Sequence, residues 1–550
     1  MAAKTRYGNF LMMTSASLAL AACGGADNVA SPGAGSVTIV QPAPAPSPTP
    51  TPTPTPTAAI TAAQFAAATT VNGITVTADE QLAIVNAGSN NNVNGTGSTI
   101  NGIYPTSATS LATAGDPARI DGFFTSTNYV GAFNGPTDTS FQGWTCNSTS
   151  AEFGGSGARC TAVPAVGTLA SGASCPTGTN TPTGTTTGAA NVATVGGFKV
   201  CDIPQAITTS LTLPRIPGIA YRFTGQTEVG TDVGTTGANS GVTLTIEPGV
   251  VIFANANEST NDLLLVNRGS RIQAVGTATA PIIFTSQQNM VANGVSDASQ
   301  GQWGGIILLG RAPTGVCRSG TGPNNAAGSS TTCEQAIEGV TGRFYGGPNA
   351  ADSSGQMSYV QIRYSGIAIS DGNELQGLTL GGTGSGTVID HVQSHNSADD
   401  GVEIFGGATN IKYFAVTGAD DDGFDIDNGY RGFMQFIVAA QRVLGATADS
   451  FSTEIDSNNA EDLLPRTFST FANFTFIQTA LAPAAIRQRG GSDMRFVNGV
   501  VKTPASVACV NIIAGEQTAG GRTTVRPADS TLQDFGPPSF NSVYFACNGR

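Results

Sequence analysis

Histidine and tryptophan occur only twice each in this 550-residue chain, and charged residues make up only 11% of it. With His391 and His395 the sole imidazoles, serine–histidine catalysis has little to draw on. No Gly-x-Ser-x-Gly elbow, P-loop or dinucleotide fingerprint occurs. Basic residues are also scarce: 24 Lys and Arg stand against 37 Asp and Glu, a formal charge of −13. That balance argues against nucleic-acid binding, which wants a basic face. No CxxC pair exists, so a cysteine metal cluster is not expected. Beyond the first two dozen residues no apolar run is long enough to cross a bilayer. Gly, Thr, Ser, Asn and Ala are plentiful instead, which fits a long, turn-rich β architecture better than a helical enzyme.

The start of the chain says where the rest works. Lys4 and Arg6 precede an apolar run, Phe10 to Ala22, that ends in Leu20-Ala21-Ala22-Cys23-Gly24. The pattern is that of a secretory signal peptide over residues 1–22. Its end resembles a bacterial lipoprotein lipobox, which implies cleavage before Cys23 and acylation (palmitate) of that thiol. The alternative is an ordinary signal peptide with a chance cysteine. Gly24 and Gly25 lack the aspartate that retains lipoproteins in the inner membrane, so by analogy the expected location is the outer membrane, at the cell surface or periplasmic face.

Eight further cysteines suggest disulfides in an exported protein. Local pairing gives Cys146–Cys160, Cys175–Cys201, Cys317–Cys333 and Cys509–Cys547, one of the 105 connectivities that eight cysteines allow. Residues 23–57 hold a Pro-Thr alternation from Pro42 to Thr57, a polyproline II spacer. Residues 58–205 are Gly- and Thr-rich. Thr77-Ala78-Asp79-Glu80 reads there as a helix capping box with Gly88 as its stop. Trp144, Phe123, Phe124, Tyr129 and Phe133 are expected to form a small core of that region.

From residue 206 to 550 short apolar strands alternate with Gly and Asn turns. Met357-Ser-Tyr-Val-Gln361, Ile389-Asp-His-Val-Gln393, Ile411-Lys-Tyr-Phe-Ala415, Met434-Gln-Phe-Ile-Val438, Ala472-Asn-Phe-Thr-Phe476 and Met494-Arg-Phe-Val-Asn498 align without gaps. Their centres are Tyr359, His391, Tyr413, Phe436, Phe474 and Phe496, so His391 reads as a packed core residue rather than a metal ligand. A second series runs in phase: Gly377-Leu-Thr-Leu-Gly381, Gly401-Val-Glu-Ile-Phe405 and Gly423-Phe-Asp-Ile-Asp427. Two series sharing a step near 22 residues indicate a solenoid.

Leu244-Thr-Ile-Glu-Pro-Gly249, Trp303-Gly-Gly305, Gly377-Leu-Thr-Leu-Gly-Gly382 and Asp399-Asp-Gly401 resemble exported right-handed parallel β-helix proteins, closest to bacterial cell-surface lipoproteins of mostly unassigned function. The resemblance implies an all-β, right-handed parallel β-helix preceded by a disulfide-linked irregular N-terminal region. Pectate lyases and polygalacturonases share that architecture, but fold alone does not settle function.

Acids concentrate between Asp371 and Asp462, sixteen of them against Lys412, Arg431 and Arg442. Asp399-Asp400-Gly401-Val402-Glu403 recurs one step later as Asp421-Asp422-Gly423-Phe424-Asp425, followed by Asp427; Asp449, Glu454 and Asp456 echo it. Stacked carboxylates repel, so three outcomes are open: a bound cation, protonation, or side chains fanned into solvent. Calcium suits the first, with Asp399, Asp400, Glu403, Asp421, Asp422, Asp425 and Asp427 as candidate ligands and Asn396, Asn410 and Asn428 as neutral oxygens. A calcium-dependent polysaccharide lyase would add Lys412, Arg431 or Arg363 as proton acceptor, and a hydrolase would use Asp400 with Asp422. The Gly-His-Gly and Arg-Ile-Lys elements of polygalacturonases are missing. Arg487 and Arg489 read as a grip for an anionic ligand or as turn caps. The expectation is a membrane-anchored calcium-binding β-helix facing a polysaccharide or outer-membrane partner, with a lyase, a hydrolase or a structural adhesin as alternatives.

Overall fold

The computed structural model describes residues 114–546 apart from short internal stretches, together with the strands Val93–Asn94 and Tyr104–Pro105. All of these lie in a unit spanning Pro56–Arg550. Cys23, the Pro-Thr spacer, the expected helix at 77–88, Asp371, Glu461, Asp462 and Cys547 lie outside the described residues.

Among the described residues there is no α-helix, only strands and three short 3-10 turns. The strands wind into a parallel β-helix. Each turn visits three faces, which stack into two long sheets because the first two faces become continuous. Early turns use separate short strands, such as Thr243–Ile246 on the first face and Val251–Ala254 on the second. From Gly355–Arg363 onward one bent strand serves both faces: Val388–His395, Asn410–Thr417, Phe433–Ala440, Phe468–Ile477 and Asp493–Lys502 follow in register. The third face stacks Gln226–Val229, Leu263–Val266, Ile306–Leu309, Leu378–Gly381, Val402–Phe405, Phe424–Asp427, Thr453–Ile455, Ala484–Gln488 and Ala508–Ile512. The coil begins with Phe198–Asp202, which pairs with Ile219–Arg222.

Alternation along each strand fills the lumen. Leu264, Ile306, Leu378, Val402 and Phe424 stack on one inward column, and Met357, Ile389, Ile411, Met434, Phe471 and Phe496 on another. Each such side chain contributes roughly 1.5–3 kcal/mol by leaving water. The Trp303 indole also lies in this core, its N–H donating to the Arg363 carbonyl at 2.8 Å.

At the bend between the first two faces one residue per turn has a positive φ: Tyr359 (54°), His391 (54°), Tyr413 (49°), Phe436 (59°), Asn473 (50°) and Asn498 (53°). The expected column of central aromatics is therefore wrong at its last two members. Ile437 pairs with Phe474, so Phe436 is level with Asn473; Phe474 pairs with Gly499, which puts Asn498 next in line. Phe474 and Phe496 point into the lumen. The physical reason is that this column is chosen by backbone conformation, which Asn tolerates, and not by aromatic character. Nor does His391 lie in the lumen. Its ring stacks outside the coil between Tyr359 and Tyr413, 4.3 Å from each, and Phe436 continues the stack at 4.5 Å.

The N-terminal segment covers this outer stack, and among the described residues its aromatics do not form one separate core as expected but join two clusters shared with the coil. Phe133, Phe141, Trp144 and Phe153 pack on Ala415, Phe436, Val438 and Tyr544, with Tyr129 alongside, while Phe123 and Phe124 pack on Phe433, Ala472 and Val497. Side-chain amides on several turns hold its backbone. Gln393 exchanges two hydrogen bonds with Cys146, Gln435 two with Thr125, and Asn498 two with Gly115. Asn473 donates to the Tyr129 carbonyl at 3.0 Å. The disulfides Cys146–Cys160, Cys175–Cys201 and Cys317–Cys333 form as expected, and Cys509 is also disulfide-bonded.

Candidate functional site

The acids gather on and beside the third face. Its outward positions stack in two columns. One runs Glu403, Asp425, Glu454, and the other Phe405, Asp427, Asp456, each turn directly above the last. Both columns end on an arginine: Glu454 pairs with Arg487, and the strand register sets Arg489 beneath Asp456. Arg489 Nη2 lies 2.5 Å from Glu454 Oε1 and its Nε 3.3 Å from Asp456 Oδ2. Arg487 Nη1 reaches Glu454 at 3.2 Å and Asp449 at 3.0 Å. The arginine pair therefore terminates the acid columns.

The turn that enters this face supplies the remaining acids. Asp400 Oδ1 accepts from the Asp422 N–H at 2.8 Å, and Asp422 Oδ1 accepts from the Phe451 N–H at 2.5 Å. Each carboxylate thus ties its turn to the next. Asp421 Oδ1 accepts from Thr447. Two trios bring one carboxylate oxygen from each member within 4.8 Å of one another: Asp399, Asp400 and Asp421, and Asp400, Glu403 and Asp425. Both are drawn from the candidate ligands. Among the proposed neutral oxygens, Asn410 instead accepts from Phe433 N, Asn428 donates to the Tyr345 hydroxyl, and Asn396 donates to the carbonyls of Asp297 and Ser299.

Crowding and burial favour the neutral acids. Burial, then Asp421, pushes Asp399 up to about 8, and burial, then Asp456, pushes Asp427 up to about 7. Asp400, Glu403, Asp422 and Asp425 rise well above the carboxylate range, burial again being the larger cause and neighbouring acids the next. Two acids absent from the sequence-based set join them. Glu338 hydrogen-bonds to Glu374 and Glu403, and burial, then Glu374, raises it to about 7. Both come from segments outside the repeat, so spacing gave no signal for them.

Residues 223–535 match the family described as pectate-lyase-like β-helix domain. The chain belongs to that family. No curated protein and no solved structure matches it. In this pectate-lyase-like β-helix the catalytic candidates fall apart in space. Lys412 lies on the first face, its Nζ donating to Thr125 at 3.1 Å and sitting 4.6 Å from the Phe123 ring centre. Arg431 donates to Gln533 and lies 5.4 Å from the Phe535 ring centre. Arg363 is buried, donating to Gln361 and to the Cys160 carbonyl. Asp400 and Asp422 are only 5% and 4% exposed, so they do not flank a surface groove as a hydrolase pair would. His395 is fully buried with Nδ1 on Thr417, and burial, then Arg363, lowers its pKa to about 3. Among the described residues, Arg487 and Arg489 are the basic residues that touch the acid columns. Among the described residues no helix is long and apolar enough to cross a membrane.

Proposed function

We propose that this β-helix is a lipid-anchored extracytoplasmic protein that binds calcium along its acid columns and offers its outer faces to a polysaccharide or an outer-membrane partner. The observation that carries the calcium reading is the stacking of carboxylates on consecutive turns. Neighbouring strands lie about 4.8 Å apart. At that distance two ionised carboxylates repel by roughly 1 kcal/mol in water and roughly 3–4 kcal/mol at an effective dielectric near 20. Two arginines offset only the lower end of the columns. A cation that takes six to eight oxygens in flexible geometry offsets the rest. Tethering rests on the sequence around Cys23, and an acyl chain there with a spacer of Pro-Thr repeats holds the body clear of lipid. Chelator-stripped protein should melt several degrees higher in millimolar calcium; an unchanged melt removes the calcium reading. Cys23→Ala should release the protein from membranes into the soluble fraction, and retention there removes the anchor.

The second reading is a polysaccharide lyase, favoured by membership of a pectate-lyase-like family and by the guanidinium of Arg489 beside Glu454 and Asp456. Incubation with acidic polysaccharides and calcium separates the two: unsaturated products support the lyase, and binding without turnover supports the first reading.

A further inference from the structure

An insertion joins the third-face strand Ile306–Leu309 to the bent strand Gly355–Arg363. It carries the Cys317–Cys333 disulfide and a short antiparallel pair, Gln335–Ala336 with Phe344–Tyr345. Ile337, Val340 and Tyr345 on it pack over the outward Leu265, Ile307, Leu309 and Phe405. The upper third face is therefore apolar and covered, and the lower third face is acidic. Glu338 stands where the two meet.

Three features converge there. Asp400, Glu403 and Asp425, all from the coil, bring carboxylate oxygens within 4.8 Å of one another. Glu338, from the insertion, hydrogen-bonds to Glu403 and to Glu374 of the hairpin Ile367–Ser370/Asn373–Leu375. Gln376 is 2% exposed; its Nε2 donates to Glu403 Oε2 at 2.5 Å, and its buried Oε1 has no hydrogen-bond partner. A buried amide oxygen without a partner is costly unless something accepts its lone pairs. Carboxylates in direct contact are bridged by a proton or by a cation.

We propose that Glu338 and Gln376 complete the Asp400–Glu403–Asp425 centre, so that a hard divalent cation latches the insertion onto the coil. The inference rests on the calcium reading and adds two ligands and a consequence to it. Three coil carboxylates alone fall short of the oxygens calcium takes; a fourth carboxylate and a neutral amide bring the set nearer to its needs. Because Glu338 lies outside the coil, the cation adds an ionic tie between two segments that also meet through the Arg343–Glu228 ion pair and the Asn428–Tyr345 hydrogen bond. Removing it should loosen the insertion and leave the stacked turns in place.

The test uses the full mature chain, stripped with chelator, with calcium chloride as probe. Calorimetric titration gives affinity, and hydrogen exchange reports on residues 333–345. Calcium should slow exchange there in the parent. Glu338→Gln should weaken calcium binding by about tenfold or more and abolish that slowing, in line with the loss of a supporting group at a metal centre. Glu338→Asp should recover part of both, which guards against a folding defect in the first variant. If calcium binds and slows exchange equally in Glu338→Gln, the latch is wrong while the calcium reading stands. If the parent binds no calcium, both are wrong.

Discussion

The same turns of the coil carry two outward columns of opposite character. At the bend, Tyr359, His391, Tyr413 and Phe436 stack ring on ring at 4.3–4.5 Å, and each added turn adds favourable contact. On the third face Glu403, Asp425 and Glu454 stack at the same repeat, and each added turn adds repulsion. A solenoid copies whatever it presents, so apolar columns grow more stable with length and ionic ones need a cap or a counter-ion. This chain covers the first column with an N-terminal segment and ends the second on Arg487 and Arg489.

The largest effect should come from uncovering the aromatic column. Trp144 is buried and meets His391 edge-on at 5.3 Å. Trp144→Ala should cost about 3–5 kcal/mol in urea unfolding and leave the calcium-induced shift unchanged, which would separate the two columns energetically. Next is the cap. Arg489→Ala leaves Glu454 and Asp456, each 7% exposed at the side chain, without that guanidinium. A loss of about 3 kcal/mol is expected, partly restored by calcium, as read from urea unfolding with and without the ion. The smallest is Glu403→Gln. Burial, then Glu338, raises Glu403 well above the carboxylate range in the stripped fold, so this variant should match the parent at about pH 4 and melt above it at about pH 8. Its calcium-induced shift should shrink. Equal melting of both proteins at every pH would mean that the column is not repulsive.

Where one bare turn separated two copies, the sequence was legible. Asp399 to Glu403 and Asp421 to Asp425 sit one 22-residue step apart and are neighbours in the coil, as Glu403 and Asp425 show directly. Legibility failed where a loop intervened. Between Phe436 and the next turn the chain makes an excursion, and alignment on aromatic rings chose Phe474 where the strand register chose Asn473. The usable signal was Asn itself, at home at positive φ. Local cysteine pairing held for three pairs, whose partners stand only 14, 26 and 16 residues apart. Glu338 and Glu374 reach the acids from an insertion and a hairpin, a juxtaposition no period encodes. Arg487 and Arg489 were visible as a pair, but their role followed only once register set them beneath Glu454 and Asp456. Lys412 was misleading for a related reason: it sits between the acidic repeats in sequence, yet a solenoid sends neighbours in sequence to different faces.

The most direct measurement is the melting temperature of chelator-stripped protein from about pH 4 to about pH 8, repeated in millimolar calcium. Asp399, Asp427 and Glu338, raised to about 8, 7 and 7, bind protons in the fold that the unfolded chain releases near its ordinary carboxylate range. Their contribution is therefore present in full below that range and is lost as pH rises through the folded values. Without calcium the melting temperature should fall by several degrees between about pH 5 and about pH 8, and with calcium the fall should largely vanish. A stripped protein that grows more stable over that span, or two curves that run parallel, would contradict the account.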